Sequence, residues 1–207
     1  MGKIKEMPYE EKYAIMLDNV SDLFALLFVA EHLGEKAAGE LETIWAEGIE
    51  PIPEHASSRE KYEAAYANWI WIAKNNLKFI RDHLGEDGIE LFKRAEVEAL
   101  KRKSSGPALV MLDLIRVLSP GAAFNMVATK MAYQLQWITP FTISEISRSR
   151  AVFDIPGCKI LDFPGTEAIC RVGCQGAYPA WLAEQFKVNM AFKRQGKSCT
   201  CTVTPID

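Results

Sequence analysis

The stretch Val188-Asn189-Met190-Ala191-Phe192-Lys193-Arg194-Gln195-Gly196-Lys197-Ser198-Cys199-Thr200-Cys201-Thr202-Val203-Thr204 decides the fold class of this chain. Val188, Met190 and Phe192 alternate with polar or small residues. After a Gly-containing turn, Cys199, Cys201 and Val203 alternate with Ser198, Thr200, Thr202 and Thr204. A period of two is the signature of a strand with one face in a core and the other in water. Two such runs around a glycine turn predict a C-terminal β-hairpin with two thiols on its apolar face.

Working toward the N-terminus, Phe141 to Ser147 and Ala151 to Ile155 are rich in β-branched and aromatic residues, and Pro156-Gly157 marks a turn. Cys158 to Phe163 is expected to add a further strand, closed by Pro164-Gly165. The segment Ala168 to Cys174 reads two ways. As a strand it would hold the α-carbons of Cys170 and Cys174 about 13 Å apart; as a helix it would bring them to about 6 Å on one face. Gly173, Gly176 and Pro179 interrupt a continuous helix, so a strand to Cys174 and a helix from Tyr178-Pro179 to about Phe186 are expected. Cys174 would then stand just ahead of a helix N-terminus, where the dipole and free N–H groups favour a thiolate.

Before residue 138 the signals are helical. Tyr13, Met16, Leu17, Val20, Phe24 and Leu27 recur at helical spacing, with Gly34 as a stop. Helices follow from Glu35 to Glu47, from a Ser57/Glu60 capping box to about His83, and from Asp87/Glu90 to about Lys103. Pro107 and Pro120 open two more. The expected fold is therefore α+β, a helical N-terminal two-thirds (residues 1–137) packed on a C-terminal antiparallel sheet (138–207) with a cysteine-bearing hairpin.

Composition bounds the function. A net charge of −3 over 207 residues argues against a nucleic-acid surface. The short basic run Lys101 to Lys103 suits a helix C-terminus. Met1 to Glu11 is charged and has no apolar core of a leader, and the run Leu23 to Ala30 is too short for a membrane span. An odd number of cysteines without a secretory leader fits a reducing compartment, so a cytoplasmic protein without membrane or nucleic-acid partners is expected. Homo-oligomers are compatible with this reading.

All five cysteines (Cys158, Cys170, Cys174, Cys199 and Cys201) lie in the last quarter, and all three histidines (His32, His55, His83) lie before them. Such clustering suggests thiol chemistry, a metal or a ligand rather than scattered core filling. For catalysis the candidates are Cys174 as nucleophile, backbone N–H groups near Gly176 as oxyanion donors, and Glu167 or His55 as acid or base. For metal binding they are Cys170, Cys174, Cys199 and Cys201, with zinc or another thiolate-bound ion as cofactor. The spacing Cys-x3-Cys followed by Cys-x-Cys differs from the Cys-x2-Cys pairs of zinc knuckles. Two aromatic helices, one with Tyr62, Tyr66, Trp69 and Trp71 and one with Phe124, Tyr133 and Trp137, read first as core. Asn68, Trp69 and Asn125 on them, with Gly176 and Tyr178, are candidate contacts for a small-molecule ligand or substrate.

Cys158, Cys174, the helix after Tyr178-Pro179, and Gly196-Lys197-Ser198-Cys199 carry a resemblance to the L-2-amino-thiazoline-4-carboxylic acid hydrolase family. The last third is also similar, more distantly, to small-molecule-binding domains of the 4-vinyl reductase type. The first resemblance implies a hydrolase acting on a small heterocyclic or thiol-derived substrate, with cysteine as nucleophile. The second implies a sensor or carrier of a small molecule or metal, without catalysis. The chain departs from the zinc pattern of the second family, because Asn189 to Gln195 contains no cysteine or carboxylate. Ala177 stands where the first would place an acidic partner.

Overall fold

A computed structural model describes residues 4–206. It contains helices α1 (Tyr9–Val20), α2 (Phe24–Leu33), α3 (Glu35–Gly48), α4 (Ser58–Lys103), α5 (Pro107–Leu118), α6 (Pro120–Gln134), α7 (Glu167–Ile169) and α8 (Tyr178–Phe186). Its strands are β1 (Thr142–Ile146), β2 (Ala151–Ile155), β3 (Val188–Gln195) and β4 (Ser198–Pro205). The fold is α+β, with a four-stranded antiparallel sheet at the C-terminus. The chain divides into two compact units: one of residues 4–6, 93–162 and 170–206, the other of residues 7–92 and 163–169.

In the unit that carries the sheet the strand order is β1-β2-β4-β3. The hairpin register sets Cys199 opposite Arg194, Cys201 opposite Phe192 and Val203 opposite Met190. Across the other ladder the same three residues face Ile155, Phe153 and Ala151. Directly opposed residues share a face, so one side of the sheet gathers Ala151, Phe153, Met190, Cys201 and Val203. That side is buried with Ala123, Phe124, Val127, Ala128, Met131 and Ala132 of α6, with Leu112 of α5 and with Leu182 of α8. The α6 residues recur at three- and four-residue spacing, which builds one helix face for the sheet. This shared core puts α5 and α6 with the cysteine module, and the division between units falls inside α4 rather than after residue 137. On the other side of the sheet Thr200 Oγ1 donates to Asp154 Oδ1 at 3.0 Å, and Ser144 Oγ donates to the other carboxylate oxygen.

One connection in this unit differs from the sequence reading. The expected strand over Cys158 to Phe163 is instead a 3₁₀ turn, Lys159–Asp162. Cys158 N donates to Lys197 O at 2.8 Å and Leu161 N donates back to Cys158 O at 3.0 Å, so the chain bends after one bond to the hairpin turn. Thr139 reinforces the bend, its hydroxyl oxygen accepting from Lys159 N and its hydroxyl donating to Gly157 O. The hairpin turn needs Gly196 at φ +59, a left-handed conformation that glycine adopts without steric cost.

In the second unit the Ser57/Glu60 capping box forms: Ser57 N and Oγ both donate to Glu60 Oε2, at 2.9 and 2.6 Å. The helices expected before and after His83 are one element, α4, interrupted only at Gly85 with φ 68 and ψ −163. That backbone region is essentially closed to residues with a Cβ. The first helical pattern is likewise divided, α1 ending at Val20 and α2 opening at Phe24, whose N–H donates to Asp22 Oδ1 at 3.0 Å. By length and composition, Tyr9–Leu33 is the one candidate membrane span among the described residues; the structure makes it two helices. The aromatics serve as core here: Phe28 meets Phe92 edge-on at 5.1 Å, and Trp45 Nε1 donates to Asn76 Oδ1 at 2.7 Å. His32 and His83 each bond a carbonyl four residues back and stack on Phe28 and Phe79.

Candidate functional site

Glu167 to Phe186 is helical throughout, and its middle, Cys170–Ala177, is a π-helix. The strand expected to end at Cys174 is therefore corrected. Gly173 and Gly176 read as breakers, but neither has a positive φ. Gly176 is small for a packing reason instead: a Cβ there would come within 2.6 Å of Lys93 Cδ and 3.2 Å of Arg171 O. Pro179 is accommodated because the turn widens just before it. A proline ring collides with the carbonyl four residues back in an ordinary α-helix, whereas the i→i+5 pattern moves that carbonyl aside. π-helical segments are uncommon and recur at functional sites, which marks this one for attention.

Its consequence is convergence. Cys170 and Cys174 project from the π-helix, Cys199 and Cys201 from β4, and Cys158 from the bend held by Lys197. Cys174 lies within electrostatic range of all four other thiols. The Tyr178 hydroxyl is within range of Cys174 and Cys201, and the Arg194 guanidinium is within range of Cys170 and Cys199. All five cysteines are free thiols. Burial pushes the thiols of Cys174 and Cys201 far above the ordinary range, and their thiol neighbours add to it because a second negative charge nearby is unfavourable. Cys170 and Cys199 are raised for the same reasons, against the opposing pull of Arg194, which also hydrogen-bonds Cys170. The four raised thiols, Cys170, Cys174, Cys199 and Cys201, are therefore protonated at neutral pH, with a cation at their edge.

The geometry changes what Cys174 has around it. The residue is inside a helical run rather than ahead of a helix N-terminus, so dipole and free N–H groups do not stabilise a thiolate there. Gly176 is likewise inside the π-helix, its N–H within the helical backbone rather than at a free end. Among the described residues no group of three or more His, Cys, Asp or Glu side chains is arranged to hold a metal ion.

Of the other expected site residues, Tyr178 joins the thiols, its ring 5.1 Å from Trp181. Asn125, in the same unit, donates to Ser147 O at 3.3 Å. Glu167, His55, Asn68 and Trp69 belong to the other unit. There Glu167 and His55 are exposed. Asn68 is a structural clamp: it accepts from Glu50 N at 3.0 Å and donates to Glu50 O at 2.8 Å. Trp69 packs its ring 5.5 Å from that of Tyr66. Sequence reasoning missed Arg194. Its place was readable from the two-residue turn, which sets it opposite Cys199 in the hairpin ladder.

No protein-family model matches this chain, and no curated protein or solved structure does.

Proposed function

We propose that the chain is a small-molecule-binding module, a sensor or carrier, whose ligand meets the protein at the thiol nest. The observation that carries this reading is the convergence of four cysteines from one π-helical segment and one strand, beside Cys158 of the bend, with the thiols of Cys170, Cys174, Cys199 and Cys201 raised by burial. Neutral thiols are polarizable, weakly hydrogen-bonding surfaces suited to apolar or sulfur-containing molecules. The Tyr178 hydroxyl and the Arg194 guanidinium supply directional partners, the latter fitted to a carboxylate. The ligand class that suits this set is a small, largely apolar molecule with one anionic group. Native and elemental mass spectrometry of anaerobically purified protein, with a thiol titration, tests the reading. The expected result is organic mass on the chain, five titratable thiols and no stoichiometric metal. A bare chain, or one metal with several thiols protected, would overturn it.

A second reading, a hydrolase with a cysteine nucleophile, has one observation in its favour. Arg194 hydrogen-bonds Cys170, and reactive cysteines commonly stand beside a cation. In that case the nucleophile is Cys170 rather than Cys174. Rapid alkylation of one thiol at neutral pH, mapping to Cys170 and accompanied by turnover of a thiazoline carboxylate, would favour this reading over the first.

A further inference from the structure

Helix α5 turns one apolar face inward, with Leu112 buried and Leu109 and Ile115 packed against the sheet core. A second apolar face points outward. It comprises Val110, Met111, Leu114, Val117 and Leu118, which range from 54% exposed at Leu114 to 81% at Val117. The spacing on α5 is symmetric about Leu114. Met111 and Val117 lie three residues to either side, and Val110 and Leu118 lie four. In an isologous interface residue i meets j and j meets i, and a stripe centred on Leu114 lets two antiparallel copies of α5 satisfy this along their whole contact.

We infer that α5 is a self-association surface whose partner is a second copy of this chain, with the two α5 helices antiparallel and crossing at Leu114. In that arrangement Leu114 meets its own copy, Met111 meets Val117 and Val110 meets Leu118. The five residues, each more than half exposed, present about 600 Å², which over two copies reaches the lower end of the roughly 1,200–2,000 Å² of a stable interface. The two charges on α5 do not compete for the seam. Asp113 and Arg116 pair with each other, and Arg116 Nη2 also donates to Phe186 O at 2.9 Å. A helix that lies on anionic lipid carries a lysine- or arginine-rich face, and α5 has no such face.

Sedimentation equilibrium of the full chain tests the inference, with Leu114→Glu as the variant and far-UV circular dichroism as the check on folding. Wild type is expected to be dimeric at micromolar concentration. Leu114→Glu sets two like charges on the axis and is expected to weaken association at least a hundredfold with unchanged helicity. Mixing Leu114→Glu with Leu114→Lys is expected to restore a dimer of one copy of each. For a readout independent of those variants, Leu114→Cys in the otherwise wild-type chain should give a symmetric crosslinked dimer through residue 114 under mild oxidant. A wild-type chain that stays monomeric at about 100 μM, a dimer that survives Leu114→Glu, absence of the crosslink through residue 114, or a monomer that binds phosphatidylcholine–phosphatidylserine vesicles through α5 would each overturn the inference.

Discussion

Protonated thiols in a folded protein impose a pH dependence on its stability that can be worked out. Cys174 and Cys201 are both pushed well above the ordinary thiol range by burial. In the unfolded chain each returns to a value of roughly 8.5 to 9. The folded state therefore binds more protons than the unfolded state at alkaline pH, and stability falls as pH rises. The stabilisation is fully present below the unfolded value and is lost progressively between the unfolded and folded values. Integrating to pH 9.5 gives a loss of about 1 kcal/mol per thiol, or about 2 kcal/mol for the two. Urea unfolding under reductant at pH 7 and pH 9.5 reads the difference. The double variant Cys174→Ala, Cys201→Val isolates it: this variant should start less stable at pH 7 but lose about 2 kcal/mol less on going to pH 9.5. Should wild type and variant lose the same amount, the thiols are not held neutral by the fold and the argument fails.

Three other outcomes follow from local geometry. In Gly48→Ala the new Cβ would fall 2.1 Å from Trp71 Cε2, and Trp71 is anchored by its bond to Ile44 O; thermal unfolding should report a destabilisation of about 2 kcal/mol. Asn68→Ala removes both bonds to the Glu50 backbone and should cost about 2–3 kcal/mol in urea titration, whereas a control at the exposed Asn189, Asn189→Ala, should cost much less. Arg194→Met removes the cation that opposes the raised values at Cys170 and Cys199; alkylation of both, followed by peptide mapping at pH 8, should slow several-fold while that of Cys158 is unchanged.

The hairpin and its thiol-bearing face were legible in the sequence because a period of two, bounded by a glycine turn, admits few other structures. The capping box at Ser57 and the prolines opening α5 and α6 were legible for the same reason: each is a local rule with a local cause. The thiol segment was not. Gly173, Gly176 and Pro179 are helix breakers by propensity, and only tertiary facts reverse that reading: Lys93 lies where a Gly176 side chain would be, and a widened turn makes room for Pro179. The strand expected after Cys158 failed similarly, since its first backbone donor is taken by Lys197 and the chain bends before a ladder can form. The gathering of five cysteines was suggested by their confinement to one quarter of the chain. Which of them faces a cation depended on the hairpin register.

The sheet order β1-β2-β4-β3 joins β2 to β4 across the whole segment that holds the π-helix and α8. Pairing of strands so far apart in sequence closes a long loop, an entropically costly and kinetically slow event. During synthesis Cys158 and Cys170 leave the ribosome well before β4 exists, and the nest has no back wall until the last strand docks. The binding proposed at the thiols would thus require β4, and a C-terminal truncation that removed β4 would leave three of the five thiols, without that wall.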